Sequence, residues 1–216
     1  MKPVARFRCD LGGKFGVPRQ SGLVEALTGL VVFEPEYRVA EALRGIEGFS
    51  HLWLIWEFSE AVRADWSPTV RPPRLGGNTR MGVFATRSPV RPNPIGLSCV
   101  RLLGVTEDGA LAVGGADLMD GTPIYDVKPY VPYADCRPEA LGGFAGAAPE
   151  GLEVDCPEAL LQALPEEKRA ALLGVLAQDP RPRYQDDPAR VYGMSFAGKN
   201  VRFRVEGGVV RVVEIG

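Results

Sequence analysis

A single histidine, His51, narrows the chemistry open to this chain of 216 residues. A multi-histidine metal centre is impossible, and a Ser-His-Asp triad has only His51 to draw on. Acid or base work elsewhere falls to Asp, Glu, Lys, Tyr or Cys. Polar side chains gather in three loops rich in Gly and Pro. The first is Val17-Pro-Arg-Gln-Ser21. The second is Arg71-Pro-Pro-Arg-Leu-Gly-Gly-Asn78, running into Phe84-Ala-Thr-Arg-Ser-Pro-Val-Arg-Pro-Asn-Pro-Ile-Gly96. The third is Asp117-Leu-Met-Asp-Gly-Thr-Pro-Ile-Tyr-Asp-Val-Lys-Pro-Tyr130. Sites are commonly built on such loops. Prolines stiffen them before a ligand arrives, which lowers the ordering cost of binding. Asp117, Asp120 and Asp126 in the third loop leave one metal reading open, a phosphoesterase with a divalent ion on carboxylates. The lack of His ligands weakens it.

The charge is uneven. Net charge is −2, yet residues 65–101 hold Arg71, Arg74, Arg80, Arg87, Arg91 and Arg101 against Asp65 alone, a local sum of +5. Such a segment suits a face that meets phosphate; pairing with carboxylates elsewhere is the alternative. The four cysteines lie far apart with no CxxC pair, so reduced structural thiols are expected and a metal site is not. No apolar run reaches membrane-spanning length. Met1 to Gly12 carries Lys2, Arg6, Arg8 and Asp10 with no apolar core for a secretion signal. The expectation is a soluble, cytoplasmic protein with no membrane partner.

The elements that position these loops read as short strands. The 19 Pro and 26 Gly are spread along the chain and favour a turn-rich, mainly β fold. Strands are predicted at Val4–Arg8, Leu30–Phe33, Ser50–Phe58, Val83–Thr86, Ile95–Val105 and Ala110–Ala116. Ser50–Phe58 is almost continuously apolar and aromatic, as a strand buried on both faces would be. Tyr37 to Leu43 has weak helical character. This succession suits a closed or nearly closed barrel. After Asp135 the composition shifts, and residues 142–151 resemble a linker. Leucines over Pro157–Gln178 predict helix, divided at Pro165. Val201–Val205 and Val209–Ile215 flank Glu206-Gly-Gly208, a hairpin signal. The division expected is a barrel-like domain over 1–138 and a small α+β domain over 139–216.

The stretches "PRQ", "GFSHLW", "RPPRLGG", "GVFATRSPVRPNPIG", "DLMDGTPIYDVKPY" and "AQDPRPRY" stand here in the order in which the TrmO family carries them. The chain resembles that family from about Lys14 to its last residue, most densely between Gly45 and Tyr133. The resemblance implies a β-barrel methyltransferase unlike the Rossmann enzymes, with S-adenosylmethionine as methyl donor. It implies a homodimer with the site near the interface. It also implies N6-methylation of N6-threonylcarbamoyladenosine beside the anticodon of tRNA. No GxGxxG fingerprint follows a strand, so a Rossmann donor site has no support. The alternatives are a non-catalytic tRNA- or nucleotide-binding barrel, or a methyltransferase for another small acceptor.

Matched position by position, the family implies donor contacts at Pro18, Arg19 and Gln20, at His51 and Leu52, at Arg87 and Leu97, and at Asp117, Leu118, Met119, Asp120 and Thr122. In such a site Asp117 or Asp120 would face the donor's ammonium or sulfonium, and Arg19 or Arg87 its carboxylate. Backbone around Leu52 and Met119 would read the adenine edge. Asp120-Gly121 also reads as a plain turn, and His51 as a core histidine. The acceptor nitrogen must lose a proton, for which Asp120 and Asp126 are candidates. Tyr125 or Tyr130 would stack or hydrogen-bond. Arg71, Arg74, Arg80, Arg91 and Lys128 are candidate contacts to phosphate or to the threonyl carboxylate. Arg181 and Tyr184, in Asp179-Pro-Arg-Pro-Arg-Tyr184, would meet the anticodon loop or serve as an inter-domain buttress. One departure stands out: where the family often has Ser-Pro-aromatic, this chain has Cys9-Asp10-Leu11.

Overall fold

The computed structural model describes residues 1–181 and 187–216. Along the chain come β1 (Ala5–Cys9), β2 (Thr28–Phe33), β3 (His51–Glu57), and a small ribbon of β4 (Thr69–Val70) with β5 (Met81–Gly82). Then follow β6 (Ile95–Val105), β7 (Leu111–Gly114), β8 (Pro123–Pro129) and a short helix, α1 (Pro132–Asp135). The last third holds β9 (Glu153–Asp155), α2 (Glu158–Leu161), α3 (Glu166–Ala177), β10 (Tyr192–Phe196), β11 (Lys199–Glu206) and β12 (Val209–Ile215).

The strands β1-β2-β7-β6-β3-β8 close into a barrel in which every neighbouring pair is antiparallel. Closure leaves no strand edge unpaired. Register irregularities opposite Trp56 and between Leu102 and Gly104 supply the local bends that such curvature needs. Phe7, Val31, Leu52, Leu54, Trp56, Val100, Val113 and Ile124 point inward and form the barrel core. Two glycines make room for aromatic rings. A Cβ on Gly29 would fall on the Phe7 ring, and one on Gly96 on the Trp56 ring.

The mainly β reading holds, and two local expectations are corrected. β3 is not buried on both faces. Leu52, Leu54 and Trp56 face the interior, while His51, Trp53, Ile55 and Glu57 are only half-buried on the outer wall. Apolar outer residues hid the two-residue period of an antiparallel strand. Val83–Ala85 is a 3₁₀ turn, not a strand. The Val83 N–H donates to the Pro68 carbonyl at 3.0 Å, and the Thr86 Oγ1 hydroxyl donates to the Val83 carbonyl at 2.8 Å. Local side-chain bonding thus replaces a ladder.

A second core lies between the sheet β10-β11-β12-β9 and α3. α3 starts after Pro165, with Glu166 and Glu167 in its first turn, as the helix dipole favours. It buries Ala171, Leu172, Val175 and Leu176. This core also takes in Leu11, Val24 and Leu27 from the connection between β1 and β2. β9 and β10 were not anticipated. The first is three residues long, and the second carries only the small residues Gly193 and Ser195 at its exposed positions.

The antiparallel order sends the connections β1–β2, β3–β6 and β7–β8 to one rim of the barrel. The three loops singled out above therefore share that rim. The last part of the third loop is β8 itself.

Candidate active site

Asp117 is the centre of the rim cluster. Its Oδ1 accepts a 2.5 Å hydrogen bond from the Ser98 hydroxyl, and Ser98 in turn accepts one at 2.8 Å from the Trp56 indole N–H. Ser98 is fully buried, a lone polar side chain on the inward face of β6. Burial pushes the Asp117 carboxyl above its usual pKa. Ser98, the Arg87 guanidinium and the Ser21 backbone N–H oppose that shift without cancelling it. Arg87 also donates from a guanidinium nitrogen to the Gln20 side-chain oxygen. The first, second and third loops thus meet at Gln20, Ser21, Arg87 and Asp117.

Two residues on, Met119 to Thr122 form a tight turn. The Met119 carbonyl accepts both the Thr122 N–H at 3.3 Å and the Thr122 hydroxyl at 2.8 Å. Gly121 sits at φ 78°, the left-handed conformation a glycine supplies at that place in a turn. The plain-turn reading of Asp120-Gly121 is therefore met locally. The Asp120 carboxylate is held against β1, accepting from the Cys9 N–H at 3.1 Å and pairing with Arg8 at 3.3 Å. Leu118 and Thr122 are buried and Met119 is half-buried. Cys9 itself is no nucleophile in waiting, since burial raises its thiol to about 11.

The remaining sequence candidates divide by position. Pro18 is buried, and Arg19 is exposed on the same loop. Leu97 projects from the outer wall of β6 with 56% of its surface exposed. His51 and Leu52 begin β3, at the rim away from the Asp117 cluster. His51 Nδ1 lies 3.0 Å from the Ser50 hydroxyl, its ring edge-on to Tyr130, whereas the Leu52 side chain is inside the barrel. His51 is thus a half-buried surface residue, not a core one. Burial, and after it a hydrogen bond to Glu57, raises the Tyr125 phenol. Asp126 pairs with Lys128 at 2.9 Å and borders a cleft of about 330 Å³ at the far rim, beside Val4, Phe33 and Leu43. Asp117, Asp120 and Asp126 hence have separate partners. Among the described residues, no three His, Cys, Asp or Glu side chains gather as a metal would require.

The arginines of the second loop are mostly exposed. Arg74 donates to the Ala147 carbonyl, Arg80 to Thr69 Oγ1 at 3.4 Å and Arg91 to the Thr86 carbonyl at 3.2 Å. Arg71 is exposed beside them. Arg181 forms a two-pronged pair with Asp179 at 2.8 and 3.1 Å. Tyr184 lies outside the described residues. Sequence reasoning missed Ser98 and Ser21. The signal for Ser98 was present, a hydroxyl in step with inward-facing Gly96 and Val100 on an otherwise apolar strand face.

Comparison with known proteins agrees with this architecture. The model of the tRNA-methyltransferase O (TrmO) N-terminal domain matches residues 6–136, and that of the TrmO C-terminal domain residues 149–216. The chain belongs to the TrmO family. It is 47% identical over 204 residues to the tRNA (adenine(37)-N6)-methyltransferase of Escherichia coli K12, covering 89% of this chain and 87% of that one. It is 48% identical over 167 residues to the Eikenella corrodens protein of the same name, covering 76% and 95%. The crystal structure of TrmO from Pseudomonas aeruginosa superposes with a TM-score of 0.83 at 35% identity, covering 100% of this chain and 96% of that one.

Proposed function

We propose that this chain transfers a methyl group from S-adenosylmethionine to N6 of adenosine 37 in tRNA, and that the base it acts on already carries threonylcarbamoyl. Close relatives of matching length bear the name of the tRNA adenine-37 activity. The observation that carries the donor assignment is the rim cluster of Gln20, Arg87, Ser98 and Asp117. A carboxylate whose charged form is penalised by burial gains from a cation beside it. An arginine next to it suits a carboxylate. The donor's amino-acid end presents both charges, so the residues present fit it.

When bound, S-adenosylmethionine supplies an electrophilic methyl group. The chain's own residues bind, orient and exclude water. Pro18 and the Met119–Thr122 turn give rigid walls, and Arg19 and Gln20 add polar contacts. Asp120, fixed by Cys9 and Arg8, is the better placed of the two proton acceptors considered, since Asp126 lies toward the far rim. Tyr125 stands with Glu57 near the first rim and lends a ring or a hydroxyl. Holding the reacting atoms at about 3 Å accounts for much of such catalysis. Arg71, Arg74, Arg80, Arg91 and Lys128 serve the tRNA phosphates or the threonyl carboxylate, and Arg181 with Tyr184 the anticodon loop.

A homodimer accounts for the outlying donor positions. Leu97 and His51 face outward on β6 and β3, together with half-buried Trp53 and Ile55. A second copy seated on this wall would bring both residues to its partner's rim. The chain is read as two domains, 1–138 and 139–216, working in the cytoplasm. Among the described residues, no helix is long and apolar enough to cross a membrane.

Calorimetric titration of S-adenosylmethionine tests the donor site. Gln20→Ala and Arg87→Ala are expected to raise Kd about tenfold each, roughly 1.4 kcal/mol. A Kd within about twofold of wild type in both moves the donor elsewhere.

A further inference from the structure

The loop that carries Pro18, Arg19 and Gln20 belongs, by its packing, to the C-terminal unit as much as to the barrel. Leu11, Val24 and Leu27 are 0–4% exposed, and they are buried in the core shared with α3 and the four-stranded sheet. Four further contacts hold the same segment. The Asp10 carboxylate pairs with Lys168 of α3 at 2.6 Å, with side chains only 18% and 29% exposed. The Ala197 N–H, in the turn between β10 and β11, donates to the Asp10 carbonyl at 2.9 Å. A Cβ on Gly16, in the loop, would stand 2.7 Å from Met194 Cε of β10. Gly174 lies within α3, where glycine is a poor helix former. A Cβ on it would stand 2.7 Å from Val24 Cγ1. Val is stiff at χ1, so it has little room to retreat. The glycine is explained by the close approach of the loop.

These ties bracket the donor residues. Asp10, Leu11 and Gly16 precede Pro18–Gln20, and Val24 and Leu27 follow them. The flank formed by Lys14–Val17 and Arg19 also closes a cleft of about 260 Å³ against Val175, Gln178, Asp179 and Pro180. A loop rich in Gly and Pro has no ladder of its own to hold its shape, so its order must come from what it packs on.

We propose that the C-terminal unit is a positioning element of the donor site, holding the Pro18–Gln20 loop in its binding shape through the Gly174–Val24 contact and the Asp10–Lys168 pair. The proposal rests on the reading that this loop binds the donor. Asp10 acts through the loop and touches no reacting atom.

The test measures S-adenosylmethionine Kd by calorimetry, and KM for donor and for tRNA, on the full-length protein well below its Tm. Lys168→Met and Gly174→Ala are each expected to raise donor Kd and donor KM about fivefold, with tRNA KM and kcat at saturating donor unchanged. The charge-swapped double variant Asp10→Lys with Lys168→Asp is expected to bind donor within about twofold of wild type. Val210→Ala, on β12 between β11 and β9, opens a cavity in the same core and serves as the stability control. It is expected to lower Tm but leave donor Kd unchanged. Donor Kd unmoved in Lys168→Met and Gly174→Ala, while Gln20→Ala weakens donor binding, overturns the positioning role and spares the donor site. A rise in Val210→Ala equal to that in Gly174→Ala overturns it as well, since any loss of stability would then suffice. Donor Kd unmoved by both Gln20→Ala and Arg87→Ala removes the donor-site reading and this proposal with it.

Discussion

At the scale of single residues, the donor role proposed for Asp117 runs against stability. Its folded pKa is raised by burial, so the neutral carboxyl is the form the fold prefers. The sign follows from linkage. This group's contribution to stability is full below the unfolded pKa and is lost as pH rises through the higher folded one. At neutral pH the charged carboxylate therefore weakens the fold, and a cation bound beside it offsets that cost. Asp117→Asn is expected to hold or raise the Tm at pH 7 while raising donor Kd at least about tenfold. Wild-type donor affinity should fall as pH drops, beginning at a higher pH than an ordinary aspartate would give because burial favours the neutral carboxyl; thermal scans and calorimetry across the acid range check both. A Tm that falls with unchanged donor affinity would make Asp117 structural. Ser98→Ala leaves the buried Trp56 N–H and Asp117 each short of a partner. It is expected to cost about 1–3 kcal/mol in chemical denaturation. The sequence showed Asp117 and Arg87 as candidates through their motifs. It did not show that Ser98 joins them, because a serine three residues into a strand carries no local mark of its distant partner.

At the scale of elements, the barrel's legibility varied with how far each strand depends on its neighbours. β6 and the β11–β12 hairpin stood out because alternation and a Gly-Gly turn are local signals. The β3 segment was placed well, but its burial was misread because Trp53 and Ile55 on the outer wall are as apolar as the core. Val83–Ala85 looked like a strand and folded as a turn, since Thr86 bonds back to Val83. The reach of residues 11–27 into the C-terminal core was invisible, as no period links Val24 to Gly174. Close packing of glycine on aromatic rings is likewise tertiary. Gly96→Ala would place a methyl in the Trp56 ring that also holds Ser98. Overpacking of this kind is expected to cost about 1–3 kcal/mol. Because Trp56 supports Ser98 and hence Asp117, donor affinity should fall with it; unchanged stability and affinity would mean the barrel wall yields freely there.

At the scale of the whole molecule, the charge is unevenly distributed. The net +5 of residues 65–101 sits in a chain of net charge −2. It is carried largely by exposed arginines of the β3–β6 connection, on the rim that also holds Asp117. Arg71→Ala and Arg80→Ala are each expected to weaken tRNA binding and to reduce the salt slope of its affinity by about 1. Donor Kd should stay at the wild-type value. A slope that does not change would assign these arginines to surface pairing instead. The most direct measurement for the molecule as a whole is methyl transfer from labelled S-adenosylmethionine to two tRNA pools, one from cells that make threonylcarbamoyladenosine and one from cells that cannot. Label is expected at adenosine 37 in the first pool only. Label in both pools would place the acceptor on another atom, and label in neither, with donor binding intact, would contradict tRNA methylation by this chain.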